Sequence, residues 1–301
     1  MIDFETKNNL QKFGVEIISP NDANFDSELT RHIGDFDVVL PLVEAAKPLV
    51  GFIKNNSSKE VVGISLRWDF IKSDGEEVFS SSGGVSSPGV LMGKKPRDPW
   101  MVGKTGIINS NELRFFSYFF DVVQTIQNIN NRVKYQRIKY NPTAEEIQGN
   151  ISYIEYRKSS PIMRDVSKSA VSFDGMLFND GTFVGNNRDF FFELTNGSIQ
   201  ATRDSLIKLR EARASGKSDS EILTQFVEEI SETMLQIPET ESRPGIRFVD
   251  SQDAFNQGYK SKLKSFKETV IRRKTKFSDT IIINDYLEVE DADFIDIHRE
   301  N

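Results

Sequence analysis

Gly103, Lys104 and Thr105, inside "PWMVGKTG" at 99–106, are the residues that come nearest to a phosphate-binding loop. Such a loop needs another glycine ahead of the Gly-Lys pair, across four intervening residues, so that successive backbone N–H groups turn inward around the phosphates. That position is Asp98, whose charge repels phosphate, and Pro99 beside it removes an N–H. The motif should also join a strand to a helix, whereas here it follows a Ser/Gly/Pro-rich stretch and leads into the apolar "LRFFSYFF". "GVLMGKK" at 89–95 fails on glycine spacing and lacks the Ser or Thr that would meet Mg²⁺. Gly103 and Gly106 are read as loop punctuation.

Carboxylates are the next candidates. Asp35 and Asp37 lie near His32, and Asp174, Asp180 and Asp189 lie around an Asp-Gly turn. Two carboxylates at the right separation hydrolyse glycosides, and several oxygens together hold Ca²⁺. The alternating acids and closing Glu of a helix-loop-helix Ca²⁺ site are absent, and Asp180 is explained by the chemistry of an Asn-Asp-Gly turn. A hydrolase using loop carboxylates is an alternative reading, with no catalytic residue assigned. The chain has no cysteine and two histidines, His32 and His298. Disulfides, thiolate metal sites and Cys nucleophiles are therefore excluded, and no metal ligand or cofactor is expected. Trp68 falls on the apolar face of a strand and is read as core. Trp100, between Pro99 and Met101 in a loop, is the better candidate for an exposed contact.

The charge order at the C-terminus is the most unusual feature. Lys260, Lys262, Lys264, Lys267, Arg272, Arg273, Lys274 and Lys276 are opposed within 260–276 only by Glu268. Asp279, Asp285, Glu288, Glu290, Asp291, Asp293, Asp296 and Glu300 follow, opposed only by Arg299. A basic amphipathic helix meets nucleic-acid phosphates, anionic lipid or an acidic partner. The competing reading is that the acidic tail folds back and neutralises it. A displaceable tail would act as an electrostatic mimic that occludes the helix.

The elements that would position these residues follow from periodicity. Residues 1–35 are polar with little period, an irregular arm with one candidate strand at "FGVEII". From 36 the texture reads as strand, through "DFDVVLPLV" and "AKPLVGFIKNN". Val62, Ile64, Leu66, Trp68 and Phe70 then alternate with smaller or polar residues, which predicts a half-buried strand closed by the turn "KSDGEE". "SSSGGVSSPGVLMGKKPRDP" reads as loop, and "LRFFSYFFDVV" as a strand buried on both faces. Thr143 and Glu146 form a capping box. "AVSFDGMLFNDGTFVG" is the clearest hairpin.

Beyond Asn196 the period changes from two to 3.6. One helix ends at Gly216, and a second starts at the Ser218–Glu221 box. A third spans 252–274 with Phe255, Tyr259, Leu263, Phe266 and Val270 on one face. "TIIIN" reads as a strand in the acidic end.

"NNSSKEVVGISLRWDF" and "VSFDGMLFNDGTFVG" resemble a loose set of uncharacterised bacterial proteins. In that set an Asn/Ser-Ser-Lys turn feeds a strand ending in Arg-Trp, and a later strand reads Asp-Gly-x-x-Phe-x-Asp-Gly-Thr-x-x-Gly. The resemblance implies an immunoglobulin-like β-sandwich over residues 36–195 and brings no site residues with it.

The expected architecture is thus α+β. An N-terminal arm (1–35) precedes a mainly antiparallel immunoglobulin-like sandwich (36–195), a helical region (196–277) and an acidic tail (278–301). The net charge of −7 argues against a general nucleic-acid binder. "VVLPLVEAAKPLVGFI" is too short and interrupted to span a bilayer, and the first residues, "MIDFETKNN", do not pattern as a signal peptide. A soluble cytoplasmic protein is expected. The leading functional reading is a non-catalytic interaction module that docks a protein partner or a second copy through its C-terminal helices, with Lys260, Lys262, Lys264, Lys267, Arg272, Arg273, Lys274 and Trp100 as binding candidates.

Overall fold

The computed structural model describes residues 2–33, 36–86, 91, 107–119, 122–123, 125–126, 143–238, 248–287 and 294–300. Strands dominate before residue 184 and long helices follow residue 191, so the mixed α/β reading holds. The strands are β1 (Asp3–Lys7), β2 (Val15–Ile18), β3 (Val50–Asn55), β4 (Val61–Lys72), β5 (Glu77–Ser86), β6 (Leu113–Ser117), β7 (Val166–Phe178), β8 (Thr182–Val184) and β9 (His298–Arg299). The helices are α1 (Phe25–Ile33), α2 (Phe36–Ala46), α3 (Ala144–Lys158), α4 (Pro161–Arg164), α5 (Phe191–Ala214), α6 (Asp219–Gln236), α7 (Ser251–Lys274) and α8 (Asp279–Leu287).

The larger sheet has the order β5-β4-β7-β8-β9, with β1 also beside β7. It curls into a mixed half-barrel rather than a purely antiparallel layer, since β1 with β7 and β8 with β9 are parallel. The span 36–195 also holds α2, α3 and α4. The smaller sheet is the antiparallel set β2-β3-β6.

The chain divides into two units. The first comprises residues 1–58, 66–83 and 108–173, and the second comprises 59–65, 84–107 and 174–301.

In the first unit the N-terminal residues are not an irregular arm. β1 extends the large sheet, and Phe4, Val15, Ile17, Phe25 and Leu29 are buried. Residues 36–46 form α2 in place of the expected strand. Val39, Leu42, Val43 and Ala46 are all fully buried at i, i+3, i+4 and i+7, the spacing of one helix face. Burial of that face overrides Pro41, which sits inside the helix. The half-buried Lys158 ammonium donates to the carbonyls of Ala45 and Lys47 at the C-terminal end of α2. Burial holds its pKa below the ordinary lysine value. Trp68 is core, with Phe4 and Phe116 at 5.9 and 5.8 Å between ring centroids. Phe115 and Phe116 point to opposite faces of β6 and are both buried, as the sequence of that strand demands.

In the second unit β5 runs on to Ser86, through Ser-Gly residues that read as loop. Tertiary packing explains this, because the glycines at 63 and 84 leave room for the Phe191 ring, which would lie 3.1 and 2.9 Å from an added Cβ. The expected hairpin forms between β7 and β8, with Met176 opposite Val184. The expected strand at "TIIIN" is helix α8, whose Ile282, Ile283 and Tyr286 enter the core formed with α5, α6 and α7. Among the described residues no helix is long and apolar enough to cross a membrane.

Candidate interaction surface

α7 begins at Asp250, whose side chain accepts the Asp253 N–H at 2.8 Å, and ends in Arg272, Arg273 and Lys274, which oppose the negative end of the helix dipole. Its buried stripe is Ala254, Gly258, Leu263, Phe266 and Val270. Phe255 and Tyr259, expected on that face, are only half-buried, because the small residues make the closest approach. An added Cβ would lie 1.9 Å from the Leu194 carbonyl oxygen at Gly258, and 2.1 Å from the Phe255 carbonyl oxygen at Gly197 on α5. Ser198 Oγ donates to the Gly258 carbonyl across this crossing. Tyr259 instead donates to Asp204 Oδ2 at 2.7 Å, and Gln200 to its Oδ1 at 2.8 Å. Burial, followed by the Asp204 carboxylate, pushes the Tyr259 hydroxyl well above the ordinary tyrosine range.

The seven expected binding residues that are described do not share one environment. Lys262 lies 5.3 Å from the Phe266 ring centroid, and Lys267 donates to Ser231 Oγ on α6 at 2.9 Å. Arg273 pairs with Asp285 of α8 and lies 5.3 Å from the Phe277 ring centroid. Lys260 is half-buried. Lys264, Arg272 and Lys274 are exposed, together with Lys276; Lys274 has Asp279 at 3.9 Å. Trp100 lies outside the described residues.

The acidic tail therefore folds back in part. Asp279 and Asp285 meet α7, while Asp296 reaches Arg203 on α5 at 2.8 Å. Glu288, Glu290, Asp291 and Asp293 lie outside the described residues. A detachable mimic does not fit α8, because Ile282 and Ile283 have no exposed surface.

Three large apolar residues stand out around the turn from α7 to α8. Ile271 is 51% exposed, Phe277 47% and Ile281 48%. They sit among Arg272, Lys274 and Lys276 in the chain, which makes this corner both apolar and cationic. The sequence carried a weak signal for it. Ile271 falls outside the buried stripe of α7, and Phe277 follows the helix end, so neither has a place in the helical core.

Two of the carboxylates considered for catalysis, Asp174 and Asp180, have structural partners. Asp174 is 1% exposed. Its oxygens accept the N–H groups of Arg188 and Asp189 at 2.8 and 3.1 Å, and its carbonyl accepts that of Asn187. It thus holds the loop before α5, where Asn187 and Phe190 both have positive φ, +54°. Asn187 Oδ1 caps that helix by accepting the Phe192 N–H at 2.8 Å. Asp174→Ala leaves two loop N–H groups without this acceptor and should cost about 2–4 kcal/mol. The check is the urea midpoint with an unchanged slope; an unshifted midpoint would contradict the assignment.

Asp180 meets Lys59 at 2.7 Å and accepts the Thr182 N–H at 3.0 Å. Burial opposes its ionisation, but these bonds outweigh it and hold the carboxyl below its ordinary range. The His32 ring meets Phe52 edge-on at 5.4 Å. Asp35 and the side chain of Asp37 lie outside the described residues. Among the described residues no group of three or more His, Asp or Glu side chains is placed to hold a metal ion.

Comparison with protein-family models, curated proteins and solved structures finds no match.

Proposed function

We propose that the chain is a non-catalytic interaction module whose docking element is the helical part of the second unit, binding a protein partner. The observation that carries this reading is the exposure of Ile271, Phe277 and Ile281 beside exposed cations, on a helical unit whose other large side chains mostly enter its core. The partner presents apolar and acidic side chains. Support also comes from Asp174, which holds backbone N–H groups, and from Asp180, which holds a backbone N–H and Lys59. A sandwich-like pairing of the two sheets within the first unit belongs to the same proposal. It is supported by Trp68 of β4, which packs against Phe116 of β6.

A photo-reactive phenylalanine at 277, with one at Tyr156 of α3 as control, tests the reading in cells of the source. The expected result is one protein adduct from 277 that is missing from 156. Equal adducts from both positions, or none from 277, would overturn it. A self-adduct would make the partner a second copy.

The exposure of Lys264, Arg272, Lys274 and Lys276 favours a second reading, nucleic-acid or anionic-surface binding. That reading predicts affinity falling steeply with salt and abolished by Lys264→Glu with Arg272→Glu.

A further inference from the structure

α7 already receives one acidic amphipathic helix from its own chain. α8 turns Ile282, Ile283 and Tyr286 into the core, with Tyr286 5.3 Å from the Phe266 ring centroid, while Asp285 and Asp279 meet Arg273 and Lys274. The chemistry of that contact is an apolar stripe flanked by carboxylates, set against apolar residues flanked by cations.

The solvent-facing side of the same corner repeats the receiving half of this chemistry. Ile271, Phe277 and Ile281 are exposed, and so are Lys264, Arg272 and Lys276. Glu268 lies four residues from both Lys264 and Arg272, and it is the one acid in the 260–276 run. Cations of this density on an acidic chain attract carboxylates, and the apolar side chains add a contact that phosphate or a sugar backbone would not fill.

We infer that the occupant of this corner is an acidic amphipathic helix of the partner protein, docked on the outer side of α7 and the α7–α8 turn as α8 is docked on its inner side. The inference rests on the interaction-module reading and names the chemistry of its partner. An amphipathic helix docked in this way places its apolar anchors at i, i+3, i+4 and i+7, with the charges at the rim.

The probe is a fluorescein-labelled 18-residue helical peptide of Leu and Glu, with Leu at i, i+3, i+4 and i+7. It is compared with a Leu/Lys peptide of the same pattern and with a labelled thymidine oligonucleotide, by anisotropy on the full-length protein. The acidic peptide should bind. Phe277→Ser and Arg272→Glu with Lys276→Glu should each weaken it by about tenfold, with the cooperative urea transition retained, since all three side chains are exposed. Unaltered binding in Phe277→Ser would overturn the inference by leaving pure charge attraction. No binding of the acidic peptide, or tighter binding of the Leu/Lys peptide or the oligonucleotide, would also overturn it. If position 277 still cross-links a protein in cells, only the acidic-helix inference fails; if it cross-links none, the interaction reading fails as well.

Discussion

Gly258→Ala is expected to separate α5 from α7 and to cost about 3 kcal/mol or more. The new Cβ would sit 1.9 Å from the Leu194 carbonyl oxygen and 2.8 Å from its carbon. Both atoms are helix backbone, so no side-chain rotation relieves the clash, and the helices must move apart. Adding atoms to a packed interface ordinarily costs 1–3 kcal/mol, and backbone contact lies at the upper end (about 3) or beyond. The helix preference of alanine returns only about 1 kcal/mol.

Gly149→Ala in α3 is the control. An added Cβ there has no neighbour within 4 Å, so the substitution should stabilise by up to about 1 kcal/mol. Urea unfolding of both variants decides the matter. Equal and small effects at 149 and 258 would mean that the α5–α7 crossing is looser than the structure describes.

Ending the chain at Phe277 is expected to abolish cooperative folding of the helical unit. The deletion removes Ile282, Ile283 and Tyr286 from the core, along with the Asp285 partner of Arg273 and the Asp296 partner of Arg203. Ile283→Ala alone should cost about 2–5 kcal/mol, since its side chain is fully buried. Losing the whole helix exceeds the margin of an ordinary domain, about 5–15 kcal/mol. Hydrogen exchange over α5–α7 should rise to the rate of an open chain in the truncated protein, and dye binding to exposed apolar surface should appear. A truncated chain with native protection would show that the acidic end is a removable cover after all, and the fully buried isoleucines argue against that.

The strength of this second prediction comes from packing that the charge pattern does not reveal. In the sequence, 279–301 stands out as acid, and its run of three isoleucines at 281–283 reads as a short strand, "TIIIN". As a helix the segment puts Ile282, Ile283 and Tyr286 on one side, where α5, α6 and α7 supply a core. Neighbours distant in sequence chose between the two periods.

Local chemistry was legible wherever a few adjacent residues satisfy one another. The Thr143–Glu146 and Ser218–Glu221 boxes close both of their reciprocal bonds. The Asp-Gly turns place Gly75 and Gly181 at φ +89° and +86°. The predicted alternation of β4 holds only at Leu66–Phe70; over Val61–Leu66 the strand is buried on both faces, which packing decided. Tertiary structure decided the rest. It made 36–46 a helix despite Pro41, because Val39, Leu42, Val43 and Ala46 found a core. It selected Ala254 and Gly258 over Phe255 and Tyr259 for the tightest contact of α7, because backbone approach rewards the absence of a side chain. It turned Lys267 and Arg273 inward to Ser231 and Asp285 while leaving Arg272 and Lys264 in solvent. All four carry the same charge within one run, and only the position of α6 and α8 around the helix separates them.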